Sequence, residues 1–399
     1  MHINENILMN PLKLKHIELP NKFIRSATYE GMGDKNGNPK KELSMLYSDL
    51  ARNNVGTIIT GFCYISMNGR AMHPAQCGID TDDKRKQWSD IVNQVNKTNP
   101  KTKLFMQIAH TGRQTLKTAT QQEVVGVSNR KCTYFKQKVK ILSDYEINNI
   151  ISDFVNAAFR AKQAGFDGIQ IHAAHGYLIH QFLSPYTNTR RDIWSDKSFF
   201  LLKILESIKN KCGENFPIFA KLSHSDDRGL TINHTIDTIK KIEHLLDAVE
   251  ISYGTMEYAL NIIRGDCPVN TILKVNPMFN KIPYIFQSIW MKLFMRKYLS
   301  KIIPFEPNYN LNAAIQIKKH INIPVIIVGG IRDLKSMLNM IENQKIDAIS
   351  LCRPFICEPD LITKIEQEKW QNSICTNCNL CTIYCDSENS LKCYYKHRG

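Results

Sequence analysis

The chain has 399 residues, 43% hydrophobic and 9% aromatic, ample for a large buried core, and no apolar run approaches the ~20 residues that a bilayer-spanning helix needs. Its 52 basic and 37 acidic residues give a net charge of +15. No basic helix interleaved with aromatics accompanies that charge, so a Lys-rich solvated surface and attraction of phosphorylated cofactors or anionic substrates are expected, without a nucleic-acid partner.

The opening stretch, MHINENILMNPLKLKHI, lacks a basic region followed by an apolar one, so no secretory signal is read and a cytoplasmic location is expected. Of 12 cysteines, Cys375, Cys378, Cys381, Cys385 and Cys393 are bunched near the end. In a large chain without a signal, that pattern predicts reduced thiols and a metal site rather than disulfides.

Apolar, β-branched runs fall at 23–28, 55–61, 103–108, 167–172, 217–223, 247–252, 324–329 and 347–352. Most are followed by a loop and a helical pattern. Eight such βα units predict a parallel (β/α)8 TIM barrel over residues 1–370, with its site at the strand C-termini. A doubly wound sheet is the alternative, but no GxGxxG follows an early strand.

The first strand ends on Ser26, Ala27 and Thr28, small residues that let backbone approach a flat ligand. The second ends on Gly61, where a structural glycine in a tight turn competes. The third carries Gln107, whose amide both donates and accepts; His110 and Arg113 beyond it read as loop scaffold. The following 114–140 segment is polar and without helical period, and resembles a lid hairpin of the kind that covers such sites.

Before the fourth strand, Ser143 and Glu146 form a capping box ahead of an apolar stripe (Ile147, Ile150, Ile151, Phe154, Val155, Ala158, Phe159) closed by Gly165. The fourth strand ends on His172, with His175 and Tyr177 within the next five positions. Three proton-handling groups crowded at one strand's end form an active-site pattern.

Lys221 lies inside the apolar fifth strand, where an unpaired cation is costly. A functional anion partner and a structural salt bridge are the two readings. After the sixth strand, residues 254–310 form a long insertion containing YIFQSIWMKLFMRKYLSKIIPF, with Lys292, Arg296, Lys297 and Lys301 on its polar face. A helix over the barrel mouth is expected there, with membrane-surface or partner docking as alternatives. The last two strands end on Gly329-Gly330 and on Cys352, with Arg353 just beyond, a pattern suited to phosphate.

HAAHGYLIHQFLSPYTNTRRDIW, with its fixed spacing, resembles the signature of the old yellow enzyme family, flavin-dependent oxidoreductases built on a (β/α)8 barrel. The resemblance implies FMN bound by Ser26, Ala27, Thr28, Gly61, Gln107, Lys221, Gly329, Gly330, Cys352 and Arg353. It also implies NAD(P)H as reductant and Thr28 or Tyr29 beside flavin N5. His172 and His175 would bind the substrate's oxygen and Tyr177 would supply a proton. Ser195-Asp196 departs from the family's usual Gly-Gly.

In residues 371–399, Cys375-x2-Cys378-x2-Cys381 with Cys393 resembles the [4Fe-4S] cysteines of 2,4-dienoyl-CoA reductase and trimethylamine dehydrogenase. Cys385 is a competing fourth ligand, and zinc on four thiols is an alternative. Those relatives continue into nucleotide-binding domains, whereas this chain stops at Gly399, so a cluster here is expected either to need an electron-transfer partner protein or to be a structural relic.

The expected function is reduction of activated C=C bonds of α,β-unsaturated carbonyl compounds. A flavin-dependent oxidative dehydrogenase or demethylase with a cluster-linked partner is the alternative. A non-flavin phosphate-binding isomerase and a non-catalytic interaction protein are the competing classes. A small-molecule substrate is expected; a homo-oligomer is compatible with the sequence.

Overall fold

Residues 6–276, 283, 286, 299–387 and 389–395 are described by the structure, a computed structural model. All eight expected strands are present: β1 (Phe23–Arg25), β2 (Thr57–Ile59), β3 (Lys103–Ala109), β4 (Gly168–Ala173), β5 (Ile218–Ser223), β6 (Ala248–Ser252), β7 (Val325–Val328) and β8 (Ala348–Leu351). Each pairs in parallel with its sequence neighbours, and β8 pairs with β1, closing the barrel.

Because strand side chains alternate with period two, the interior is built in layers. Its floor is apolar: Ile24, Ile59, Phe105, Phe219, Ala248, Ile326 and Ala348 pack with Leu14 and Leu19. Leu19 belongs to a short antiparallel pair, Leu12–Lys13 with Glu18–Leu19, which supplies residues that plug the bottom. Two residues further along their strands, Ile24, Phe105, Phe219, Ala248 and Ala348 give way to Ser26, Gln107, Lys221, Glu250 and Ser350. The floor excludes water, and the layer above it offers polar groups to the mouth.

Helices surround the strands, including α1 (Lys41–Arg52), α2 (Asp82–Thr98), α3 (Asp144–Gln163), α4 (Phe199–Cys212), α5 (Ile232–Ile242), α6 (Leu311–Lys318), α7 (Leu334–Glu342) and α8 (Arg353–Cys357). The α3 capping box forms as expected, with Glu146 accepting from the Ser143 N–H at 2.9 Å. Its stripe buries Ile147, Ile150, Ile151, Phe154 and Ala158, while Val155 and Phe159 are half-buried.

Two local expectations change. The 114–140 segment is not an antiparallel hairpin: it holds a short helix, Lys117–Thr120, and Val125–Gly126 pairs in parallel with Lys140–Ile141. The intervening chain therefore crosses over instead of turning back directly. In addition, β2 ends at Ile59 and pairing with β3 resumes at Cys63–Tyr64. Ile59 faces Phe105 and Cys63 faces Ile108, so the β2 side carries one extra residue, a bulge that contains Gly61.

Most of the aromatic, basic patch in the 254–310 insertion, including Lys292, Arg296 and Lys297, lies outside the described residues. Lys301 lies within them and donates to Tyr258 Oη at 3.0 Å. Among the described residues, no helix is long and apolar enough to cross a membrane.

Candidate active site

A cavity of about 200 Å³ opens at the C-terminal ends of the strands. Its walls bring together Ser26, Ala27 and Thr28 from β1, Gln107 from β3, His172, His175 and Tyr177 from β4, and Lys221 from β5. Gly329, Gly330, Cys352 and Arg353 complete the wall after β7 and β8. Tyr29 lines it beside Thr28.

Gly61 stands apart. It does not line the cavity; its N–H donates to Glu30 Oε1 at 2.7 Å. A Cβ there would meet Glu30 Oε2 at 2.0 Å. Glu30 in turn accepts from Tyr47 Oη at 2.6 Å and pairs with Arg25 at 2.9 Å. The glycine makes room for a buried ion pair.

The β4 side chains are held tightly. His172 packs edge-on against His175, with ring centroids 5.0 Å apart, and lies 4.8 Å from the Tyr177 ring. His172 Nδ1 accepts from the Ala174 N–H at 3.4 Å, which leaves the proton of the neutral ring on Nε2.

His175 adopts φ 60°, a left-handed conformation costing about 1–3 kcal/mol unless its surroundings fix it. Four contacts do so. Its N–H donates to Ser223 Oγ at 3.1 Å, its carbonyl accepts from Gln114 Nε2 at 2.8 Å and from Met256 N at 2.9 Å, and its Nε2 is 2.8 Å from Ser252 Oγ. Burial, with the nearby Lys221 charge, pushes both imidazoles well below their usual range. Burial first, then Asp386, pushes the Tyr177 phenol up. Near neutral pH the site therefore presents two uncharged imidazoles and a protonated phenol.

The polar layer below is one network. Gln107 Nε2 donates to Gln170 Oε1 at 2.7 Å, and Gln170 Nε2 donates to Glu250 Oε2 at 2.7 Å. Glu250, fully buried, also accepts from Ser26 and Ser350 at 2.8 Å each. Lys221 lies 3.3 Å from Glu250 and donates to Ser26 at 2.9 Å. Lys221 thus makes the salt bridge and faces the cavity.

Sequence reasoning missed Glu250 and Gln170, although both are polar residues inside apolar strands, the same signal that marked Lys221. It also missed Arg332, which lines the cavity beside Gly330. Burial, then the nearby Arg353, lowers the Arg332 guanidinium from its usual range. Arg353 donates to the carbonyls of Arg264 and Ile263 and to Asn379 Oδ1. Arg332 donates to Asn377 and the Ile331 carbonyl. Among the described residues neither guanidinium pairs with a carboxylate, and two such cations suit an added phosphate.

Outside the cavity, the signature stitches loops together. Asn188 donates to the carbonyls of Phe182 and Trp194, and Arg190 to that of Leu142. His110 lies between the Gly112 N–H and Asn68, and Arg113 joins Glu257 to the carbonyls of Arg130 and Lys131. Both hold loops.

A second cavity of about 240 Å³ is lined by Cys357, Cys375, Cys378, Cys381 and Cys393, with Arg353 shared between the two cavities. Left-handed Asn377 and Asn379 (φ 60° and 57°) flank Cys378, a turn that asparagine tolerates. Cys385 faces elsewhere: it lines the strand-end cavity and donates to the Tyr29 carbonyl at 3.3 Å. Among the described residues, no group of three or more His, Cys, Asp or Glu side chains is arranged to hold a single metal ion.

A closed parallel barrel with this mouth is the scaffold of a flavin oxidoreductase. Residues 7–265 and 295–372 match the NADH:flavin oxidoreductase / NADH oxidase family, and the chain belongs to it.

The chain is 28% identical over 375 residues to an NADH oxidase of Thermoanaerobacter brockii, covering 92% of this chain but 52% of that protein. It thus spans about half of that relative's length. It is 24% identical to a 4,4'-dithiodibutanoate disulfide reductase of Rhodococcus erythropolis, covering 94% and 93%. A solved 2-naphthoyl-CoA reductase superposes with a TM-score of 0.80 at 21% identity, over 96% of this chain and 56% of that one.

Proposed function

We propose that the protein is an FMN-dependent NAD(P)H oxidoreductase that reduces activated C=C bonds of α,β-unsaturated carbonyl compounds. The observation that carries this reading is the placement of His172, His175 and Tyr177 on one cavity whose other walls supply Ser26, Gln107, Lys221 and Arg353.

The residues present fit FMN. Gln107 has the donor and acceptor for a pyrimidine edge, Lys221 the cation for its carbonyl side, and Arg332 and Arg353 the charge for a phosphate. When bound, FMN supplies the hydride chemistry. The neutral His172, with its proton on Nε2, donates to the substrate's carbonyl oxygen. His175, fixed by Ser252, provides the second polar contact. Tyr177, kept protonated by burial, gives its proton to the α-carbon. The apolar floor and Phe62, 5.5 Å from the Tyr177 ring, exclude water from that transfer.

The tail cavity supports a second group on Cys375, Cys378, Cys381 and Cys393, with Cys385 left out. A [4Fe-4S] cluster fits thiols that surround a volume rather than converge on a point, as zinc would require. It would supply one-electron transfer beside Arg353. A hydrogen bond from Cys357, with the charges of Arg332 and Arg353, already holds the Cys375 thiol below its ordinary range, which suits a thiolate ligand. Such a group would serve the reductase or the second reading, an oxidative dehydrogenase or demethylase feeding a partner protein.

The two readings part in one experiment. FMN-loaded protein is reduced anaerobically with NAD(P)H and mixed with an enone. Reoxidation of the flavin by the enone supports the reductase; flavin reduction by an amine or methoxylated compound, with no response to enones, supports the dehydrogenase.

A further inference from the structure

The cavity is electrically lopsided. At one end Arg332 and Arg353 act together on Tyr309, with Arg264 stacked over that ring at 4.3 Å. Elsewhere on the wall, among the described lining residues, stands a single carboxylate, Asp386, whose charge acts on Tyr29 and Tyr177. Asp386 comes from the cysteine-rich tail, immediately after the helix Leu380–Cys385. Thr382, Cys385, Asp386 and Leu391 all line the cavity, so the tail forms part of its wall as well as holding thiols.

Asp386 is well placed to meet an entering molecule. Its side chain keeps 29% of its surface exposed, and its Oδ1 lies 3.4 Å from His73 Nδ1, ion-pair range rather than a well-aligned hydrogen bond. His73 stacks on Tyr29 with centroids 4.5 Å apart and lies edge-on to Phe62 at 6.1 Å. The titratable groups facing Asp386 are thus His73 from the loop after β2, Tyr29 after β1, Tyr177 after β4 and Cys385 on its own helix. A phosphate at the arginine end would neutralise the cations there and leave Asp386 as the charge that an alkene meets beside Tyr177.

We infer that Asp386 sets the charge class of the substrate: alkenes neutral or cationic beyond their carbonyl are admitted, and those carrying a carboxylate there are disfavoured. This rests on the proposed C=C reduction at Tyr177. A carboxylate on a low-dielectric wall acts on a second charge several ångströms away more strongly than it would in water. Selection by repulsion needs no new attractive contact.

The test uses three matched probes on the FMN-loaded full chain: cinnamaldehyde, its 4-carboxy derivative and its 4-trimethylammonio derivative. Wild-type kcat/KM is expected to favour the neutral and cationic probes over the anionic one by about tenfold or more. Asp386→Asn should bring anionic and neutral probes to within about twofold of each other, and Asp386→Glu should keep the wild-type ratio. An unchanged ratio in Asp386→Asn overturns the inference. If wild type turns over none of the three, the proposed reaction fails, and the charge preference is read instead from their Kd values by the change in flavin absorbance. Kd values that order cationic and neutral ahead of anionic in wild type alone uphold it; equal Kd values overturn it.

Discussion

Lys221 and Glu250, from adjacent strands β5 and β6, meet at 3.3 Å beneath the cavity, with side chains 5% and 0% exposed. Ser26 joins them, accepting from Lys221 at 2.9 Å and donating to Glu250 at 2.8 Å. Lys221 is therefore paired and held in position before any ligand arrives. Removing one partner of a buried pair leaves the other uncompensated, at a cost of about 3–5 kcal/mol. Lys221→Met should lose about that much stability in urea unfolding and most of its FMN affinity. Lys221→Arg should recover FMN binding better than Met does, as read by flavin content after reconstitution.

Of the three β4 groups, Tyr177 is the proposed proton source, since both neighbouring imidazoles are held neutral by burial. Tyr177→Phe should slow the oxidation of reduced flavin by an enone by about 10²-fold or more, measured by stopped-flow absorbance under anaerobic conditions. An equal loss in flavin reduction by NAD(P)H would point to a structural defect instead.

Among the described residues, four histidines carry depressed pKa values. Burial brings His110 to about 3 and His224 to about 4, and holds His172 and His175 well below 6.5. Below about pH 6.5 the unfolded chain protonates these rings while the folded chain does not. Their contribution to stability is therefore complete above that pH and is lost as pH falls toward the folded values. Urea unfolding near pH 5 should take up about four protons from these groups, read as the slope of stability against pH. Replacing His110 with Asn should shallow that slope.

Gly61→Ala tests a different assignment. Its Cβ would press on Glu30, so the substitution should cost about 1–3 kcal/mol through the Arg25–Glu30–Tyr47 cluster. If Gly61 served chiefly as a flavin contact, FMN affinity would fall with little change in the urea midpoint of apoprotein.

In the tail, Cys393→Ser should lower bound iron or zinc in anaerobically purified protein, while Cys385→Ser should retain it. Cys385 lies against the Tyr29 carbonyl rather than in the thiol-lined cavity. The reverse result would assign the fourth ligand to Cys385.

The barrel was readable from the sequence because parallel strands covered on both faces leave continuous apolar runs. His172, His175 and Tyr177 were readable because they break such a run where it meets a loop. Lys221 stood out as a cation in a strand, yet its partner Glu250 did not, since pairing depends on which strands become neighbours. Asp386 and Arg332 were hidden for the same reason: each reaches the cavity only once a distant segment has folded over it. Gly61 was read as an FMN contact with a structural glycine as the competing reading, and what requires a glycine there is Glu30, 31 residues earlier. The parallel pairing of Val125–Gly126 with Lys140–Ile141 had no local signal, because two-residue strands carry too little pattern.

The most direct measurement is the anaerobic reaction of FMN-loaded, NAD(P)H-reduced protein with an enone, wild type beside Tyr177→Phe. The account predicts stoichiometric flavin binding, reoxidation coupled to formation of the saturated carbonyl product, and its marked slowing in the variant. A protein that takes up no FMN, or one whose enone reoxidation is indifferent to Tyr177, would contradict it.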